Sequence, residues 1–286
     1  MLMAFALAAA ALYGSADFLG GVASRRARAA SVLVISAPAG VVVVLAAALL
    51  AGGPFQATGM GWALAAGAVG GAGLITFYAG LAAGPMSVVA PVSALVSTVL
   101  PVGVALAMGE RAGVTVYAGA ALCLGAIVLV SMEGTPAARP GPAHRHPAVR
   151  GLGYGTVAGL SFGMFFLLIR NAGGAAGVLW PVFEARVAGT VIILGAAVGL
   201  GTRPAGPGAG RWVLPAAAAA GILDASANVC YLLAARAGMF GVALVIISLY
   251  PGITVLLARV MLGERMQMVQ RVGLVLAAAG VALVTF

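Results

Sequence analysis

A charge near the middle of a lipid bilayer costs several kcal/mol or more unless it is paired or faces water. The few ionisable residues set deep in the apolar runs of this chain are therefore its first candidates for chemistry. Asp17 lies in the second half of the first apolar run, with Tyr13 one turn before it on the same helical face. Asp224 sits midway along a later run, with Asn228 one turn on and Tyr231 close to the same stripe. Together with Ser15, Tyr78, Ser248 and Tyr250, these residues form a candidate substrate-binding set around a central cavity. A zwitterionic solute needs an acceptor for its ammonium group and a donor for its carboxylate. An aromatic wall suits an apolar or aromatic side chain and adds a cation–π contribution. A carboxylate desolvated in such a cavity can exchange a proton near neutral pH, which makes Asp17 and Asp224 the candidates for coupling. The competing reading is structural: both acids pair with arginines of neighbouring helices and pin the bundle. Asp17 is close enough to Arg25, Arg26 and Arg28 for a helix-end pair to account for it. Glu184 and Arg186, two apart near the start of their run, point to different faces, where headgroup contacts suffice. Arg259, one turn before the end of its run, reads as an ion-pair partner or interfacial anchor.

The elements that must position these groups follow from composition. The chain is 63% hydrophobic and 7% charged, with a mean hydropathy of +1.15. Soluble domains carry roughly a quarter charged residues, so no ordinary water-facing surface can be built here. A spanning helix needs about 20 apolar residues, and ten such stretches fit: 2–23, 31–52, 60–82, 86–108, 113–132, 151–171, 178–200, 212–235, 239–262 and 267–286. The runs are continuous and do not alternate like barrel strands. The fold class expected is an all-α membrane protein of ten transmembrane helices. The first run has no basic residue before it and three arginines after it, the reverse of a secretion signal, and is expected to be a mature helix.

Two segments repeat one pattern. Gly109-Glu110-Arg111 and Gly263-Glu264-Arg265 each close one apolar run and open the next, 154 residues apart. At that offset Gly84 meets Gly238, Leu95 meets Leu249, Gly119 meets Gly273 and Leu122 meets Leu276. Such duplication marks many transporter folds. It divides the chain into a first repeat (1–133), an inter-repeat loop (134–150) and a second repeat (151–286), each of five helices and inverted relative to the other. The two Glu-Arg pairs read as caps of the following helices.

These features resemble the EamA family of the drug/metabolite transporter superfamily. The resemblance is carried by the Gly-Glu-Arg triplets between the fourth and fifth helix of each unit, by Leu12-Tyr13-Gly14-Ser15-Ala16-Asp17-Phe18, and by Gly84-Pro85-Met86-Ser87-Val88-Val89-Ala90-Pro91. It implies a multi-pass protein of the bacterial inner membrane, a secondary transporter that exports small metabolites by alternating access. Amino acids are the leading substrate class, with aromatic ones included as in YddG-type exporters. Efflux of toxic or drug-like compounds or of sugars is the alternative. Asp17 departs from the pattern, since many relatives carry a neutral residue there, and the loop Gly52–Thr58 lacks the usual basic charge.

Other classes fit less well. The net charge of +9 comes from arginines at helix ends, where headgroups and topology explain them, so no nucleic-acid partner is expected. The arginine bias places residues 25–28, 139–150, 203–211 and 265 in the cytoplasm and both termini outside. No Walker motif, zinc-ligand spacing or Ser/His/Asp set is present, so neither cofactor nor metal is expected, and no enzymatic activity. His144 and His146 make a weak metal pair in a Pro-rich loop. An intramembrane lipid-processing enzyme would need clustered acids, which here are dispersed. Cys123 and Cys230 read as buried thiols. Gly67, Gly70, Gly71 and Gly73 read as helix-packing positions. Pro91 and Pro251, in corresponding helices of the two repeats, are candidate bending points. The partners expected are a small-molecule substrate and the bilayer; one duplicated chain can work as a monomer.

Overall fold

Apolar runs in lipid must satisfy every backbone group internally, and helices do so within one segment. The computed structural model describes the whole chain except residues 25, 53–54, 56, 84–85, 110–112, 132–144, 173–176, 203–211, 263–267 and 286. Its elements are α1 (Leu2–Ser24), α2 (Ala29–Leu50), α3 (Met60–Ala83), α4 (Met86–Ala107), α5 (Val114–Ser131), α6 (Arg145–Ala172), α7 (Leu179–Gly199), α8 (Val213–Ala237), α9 (Phe240–Ile247), α10 (Tyr250–Leu262) and α11 (Met268–Thr285). Six of these helices contain a stretch long and apolar enough to cross a membrane, in α1, α2, α3, α6, α7 and α8. The chain is an all-helical, multi-pass membrane protein.

Glycine closes several helices by supplying a left-handed residue. Gly52, Gly109 and Gly201 have φ of 66°, 90° and 60°, each two residues past a helix end. Gly109 opens the first Gly-Glu-Arg triplet, which gives that glycine a backbone reason. Glu110, Arg111 and the second triplet, with their expected capping roles, lie outside the described residues, as do Gly84, Pro85 and His144.

The structure corrects two boundaries. The run 239–262, expected as one helix, is two segments, α9 and α10, joined at Ser248-Leu249. Pro251 is the second residue of α10 and has no N–H, so the Ile247 carbonyl loses its helical partner. Ser248 turns its hydroxyl onto the Val245 carbonyl (2.7 Å), and Leu249 N–H closes a shorter loop to Ile246 (3.2 Å). Pro91 instead lies within the unbroken α4. The second correction is α6, which starts at Arg145 inside the stretch 134–150 expected as loop. Pro147 falls in its first turn, where a missing N–H costs no helical bond.

Packing is dominated by interleaved helices from the two halves of the chain. Helix α1 packs on α8, α9 and α10, and α6 packs on α3 and α4. Helix α2 contacts α7 and α8, α3 contacts α7, and α5 pairs with α11. Small residues set the closest approaches. A Cβ on Gly67 of α3 would lie 1.9 Å from the Ala185 carbonyl oxygen of α7, and one on Gly221 of α8 would lie 1.9 Å from that of Ser36 on α2. Gly71 faces α7 at Gly189, while Gly70 and Gly73 face α6 at Phe165 and Ser161.

The largest apolar core gathers Ala6 and Ala9 of α1, Val44 of α2, Ala63 and Ala66 of α3, Ala105 of α4, Ile169 of α6, Val182 of α7, Leu232 of α8 and most of α9. These are the starts of α1, α3 and α7 and the ends of α2, α4, α6 and α8, so this core fills one end of the bundle. Toward the other end only two small clusters form, around Val32 and Val213 and around Leu33 and Ile193. The large apolar cluster therefore lies at one end, and the other end carries the two small clusters with close contacts such as Gly221 on Ser36.

Candidate functional site

The ionisable groups converge beside the edge of the large apolar core. Asp17 is seven residues before the end of α1, Asp224 eleven residues into α8, and Arg186 seven residues into α7. At 1.5 Å rise per residue, each stands roughly 10 Å or more from its nearer helix end. Arg186 and Asp224 form an ion pair through Nη2 and Oδ2, joining α7 to α8. Asp17 has no hydrogen bond or ion pair among the described residues, yet it lies close enough to Asp224 for their charges to interact. Its side chain is exposed although it sits deep in α1 among α8, α9 and α10, as on the wall of an internal cleft.

Tyrosines close the group. Tyr13 lies within electrostatic reach of Asp224 and Arg186 and stacks obliquely on Tyr250, ring centroids 6.1 Å apart. Tyr250 in turn lies near Asp17. Tyr78 of α3 reaches across to α1, near both carboxylates, with its hydroxyl 3.9 Å from the position a Cβ would take on Gly20. The α1–α10 contact behind Tyr13 and Tyr250 is held by Thr254, whose hydroxyl donates to the Gly14 carbonyl at 3.0 Å. Gly14 permits this approach, since a Cβ there would lie 2.6 Å from both Ile253 and the Tyr250 carbonyl oxygen.

Other members of the expected set are placed differently. Tyr231 is fully buried in the large core, with its hydroxyl donated to the Phe166 carbonyl at 2.6 Å and its ring packed on Phe166 and Phe240. Asn228 is 4% exposed, and its amide donates to the Asp224 carbonyl at 2.8 Å. Ser248 is buried and bonded within its own turn. These three therefore present no open surface to a solute in this conformation. Ser15 is half-buried on α1. Pro91 lies in α4, which packs on α6, and Pro251 lies in α10, which packs on α1.

Sequence reasoning underrated Arg186. It reads from sequence as a headgroup contact, but α7 is packed between α2 and α3, so its middle faces protein. Glu184 is likewise buried, at 6% exposure, with Oε1 unpartnered. The signal available in the sequence was modest: Asp224 is the one charged residue of its run, while Arg186 has Glu184 two residues before it.

Chemically, two carboxylates and one guanidinium gather here, Arg186 paired with Asp224 and Asp17 near Asp224. If all three are ionised the cluster carries one net negative charge, so it favours a cationic group or a proton. Among the described residues no three His, Cys, Asp or Glu side chains gather closely enough to hold a metal ion.

Comparison with known proteins agrees with this architecture. A solved crystal structure, described only as that of a protein, superposes with a TM-score of 0.80 at 17% identity, over 99% of this chain and 96% of that one. That likeness concerns the fold. No curated protein matches the chain. Residues 149–286, which include α7, α8 and the Arg186–Asp224 pair, match the EamA-like transporter family.

Proposed function

We propose that this chain is a secondary transporter that exports small metabolites, amino acids foremost and aromatic ones among them, by alternating access through the central cleft. The observation that carries this reading is the meeting of Asp17, Asp224 and Arg186 at mid-depth, with Tyr13, Tyr78 and Tyr250 around them. Opposite charges within an aromatic wall suit a zwitterion with an apolar tail.

The pattern of contacts supports two inverted five-helix repeats. Exchanging α1 with α6, α2 with α7, α3 with α8, α4 with α9–α10 and α5 with α11 turns each major contact into another: α1–α8 into α6–α3, α2–α8 into α7–α3, and α4–α6 into α9–α10 on α1. Gly67 and Gly221, 154 residues apart, make the same 1.9 Å approach to their partners. We assign the protein to the bacterial inner membrane, with the arginine-rich ends of the helices inside.

A second reading has a specific observation behind it. Asp17 has no ion-pair partner among the described residues, so the cluster is one cation short, and a lipophilic cation of the drug-like class would neutralise it. Uptake of radiolabelled amino acids and of a lipophilic cation into proteoliposomes, with and without an imposed pH gradient, tests both. Saturable amino-acid uptake that falls in Asp17→Asn and Asp224→Asn supports the first reading. Cation uptake alone supports the second. Uptake unchanged in both variants removes the cluster from the transport path.

A further inference from the structure

We infer that Arg186 is the residue that selects for an anionic group on the solute, so that carboxylates are carried in preference to the corresponding plain amines. The inference rests on the transport reading above and adds to it a specificity-determining residue. Arginine presents five N–H donors in a planar fork. Arg186 uses one Nη2 contact, to Asp224, and its other donors have no protein acceptor among the described residues. An arginine so far inside a membrane protein is ordinarily fully satisfied, because each unmade hydrogen bond of a charged group is costly. Its side chain is 15% exposed, against 35% for Asp224, so both ends of the pair are reachable from the cleft.

The geometry gives the pair a division of labour. Asp17, without an ion-pair partner among the described residues, together with Asp224 offers oxygen acceptors to an ammonium group. The open donors of Arg186 offer a two-pronged seat for a carboxylate. A zwitterion can therefore set its ammonium against the carboxylates and its carboxylate on Arg186, beside or in place of the Asp224 contact. An amine without the carboxylate meets only the acceptors and leaves the guanidinium as unsatisfied as before. Tyr13, within electrostatic reach of Arg186 and Asp224, flanks the seat.

The test uses the full-length protein in proteoliposomes. A panel of radiolabelled standard amino acids identifies the best-carried member, which is then compared with the amine that lacks its α-carboxylate. Because Arg186→Gln leaves Asp224 unpaired, the double variant Arg186→Gln/Asp224→Asn, which removes both charges, and Arg186→Lys are measured beside it. Wild type is expected to prefer the amino acid by about tenfold or more, the range of one charge-assisted hydrogen bond. Arg186→Gln is expected to bring that ratio to within about threefold of unity by lowering amino-acid uptake while sparing amine uptake. Arg186→Lys keeps the charge without the fork and is expected to retain an intermediate ratio. Equal loss of both solutes in Arg186→Gln and in the double variant, or no preference in wild type, overturns the assignment of Arg186 while leaving the transporter reading intact. If wild type carries no amino acid at all, the amino-acid reading fails and this assignment fails with it.

Discussion

Replacing Gly67 with alanine is the sharpest probe of how this bundle is held together. The added Cβ would stand 1.9 Å from the Ala185 carbonyl oxygen, and ordinary contact begins near 3.4 Å. Helices α3 and α7 must therefore part by the difference, 1.5 Å, at that point. The obstacle is backbone, which cannot swing aside as a flexible side chain would. One turn on, a Cβ on Gly71 would stand 2.8 Å from the Gly189 carbonyl oxygen, so a wedge at Gly67 also loosens the next contact. Overpacking of a well-fitted interior costs roughly 1–3 kcal/mol and occasionally more, and the rigid neighbour puts this case at the upper part of that range. Gly221→Ala, whose Cβ would meet the Ser36 carbonyl oxygen at the same 1.9 Å, is expected to cost a similar amount. The two sites lie on different helix pairs, so their effects should add to within about 0.5 kcal/mol. Gly195→Ala in α7, where nothing lies within 4 Å, is the control and should be neutral or gain up to roughly 1 kcal/mol from the better helix former. Reversible unfolding in mixed micelles, followed by helical circular dichroism, reads all four variants. A Gly67→Ala protein as stable as Gly195→Ala would refute the claim that α3 and α7 are in backbone contact.

Three further outcomes follow from named contacts. Asp224→Asn should destabilise the protein by somewhat less than the roughly 3–5 kcal/mol of a fully buried broken pair, because Asp224 is 35% exposed; combining it with Arg186→Gln should recover part of the loss, as a double-mutant cycle by the same unfolding assay would register. Tyr231→Phe removes one buried hydroxyl bond to Phe166 and should cost about 1 kcal/mol, with the amino-acid specificity of uptake unchanged since that hydroxyl does not face the cleft. Thr254→Val removes the α10 donor to the Gly14 carbonyl and should also cost about 1 kcal/mol; a cysteine on the α10 side of Tyr250 should then react faster with a water-soluble maleimide as α1 and α10 part.

Much of the fold is legible in the sequence because lipid leaves so few choices. Continuous apolar runs can only be helices there, and the breaks at Gly, Pro and Arg mark their ends, as Gly109 and Gly201 illustrate with left-handed backbones. The packing role of Gly67, Gly70, Gly71 and Gly73 is legible for the same reason, since small residues are what brings helices together without a hydrophobic driving force. Spacing also placed Tyr13 beside Asp17 and drew attention to Asp224. Helical spacing, however, is a property of one helix, and burial depends on the neighbours. Asp224, Asn228 and Tyr231 form one stripe by sequence, yet α1, α6 and α9 cover the end of that stripe, so Tyr231 joins the core while Asp224 meets the cleft. Which arginine answers Asp224 was decided only by tertiary structure. Residues 186 and 224 are brought together by the packing of α7 and α8 with α2 and α3, and no local pattern encodes a contact whose partners are set by the whole bundle.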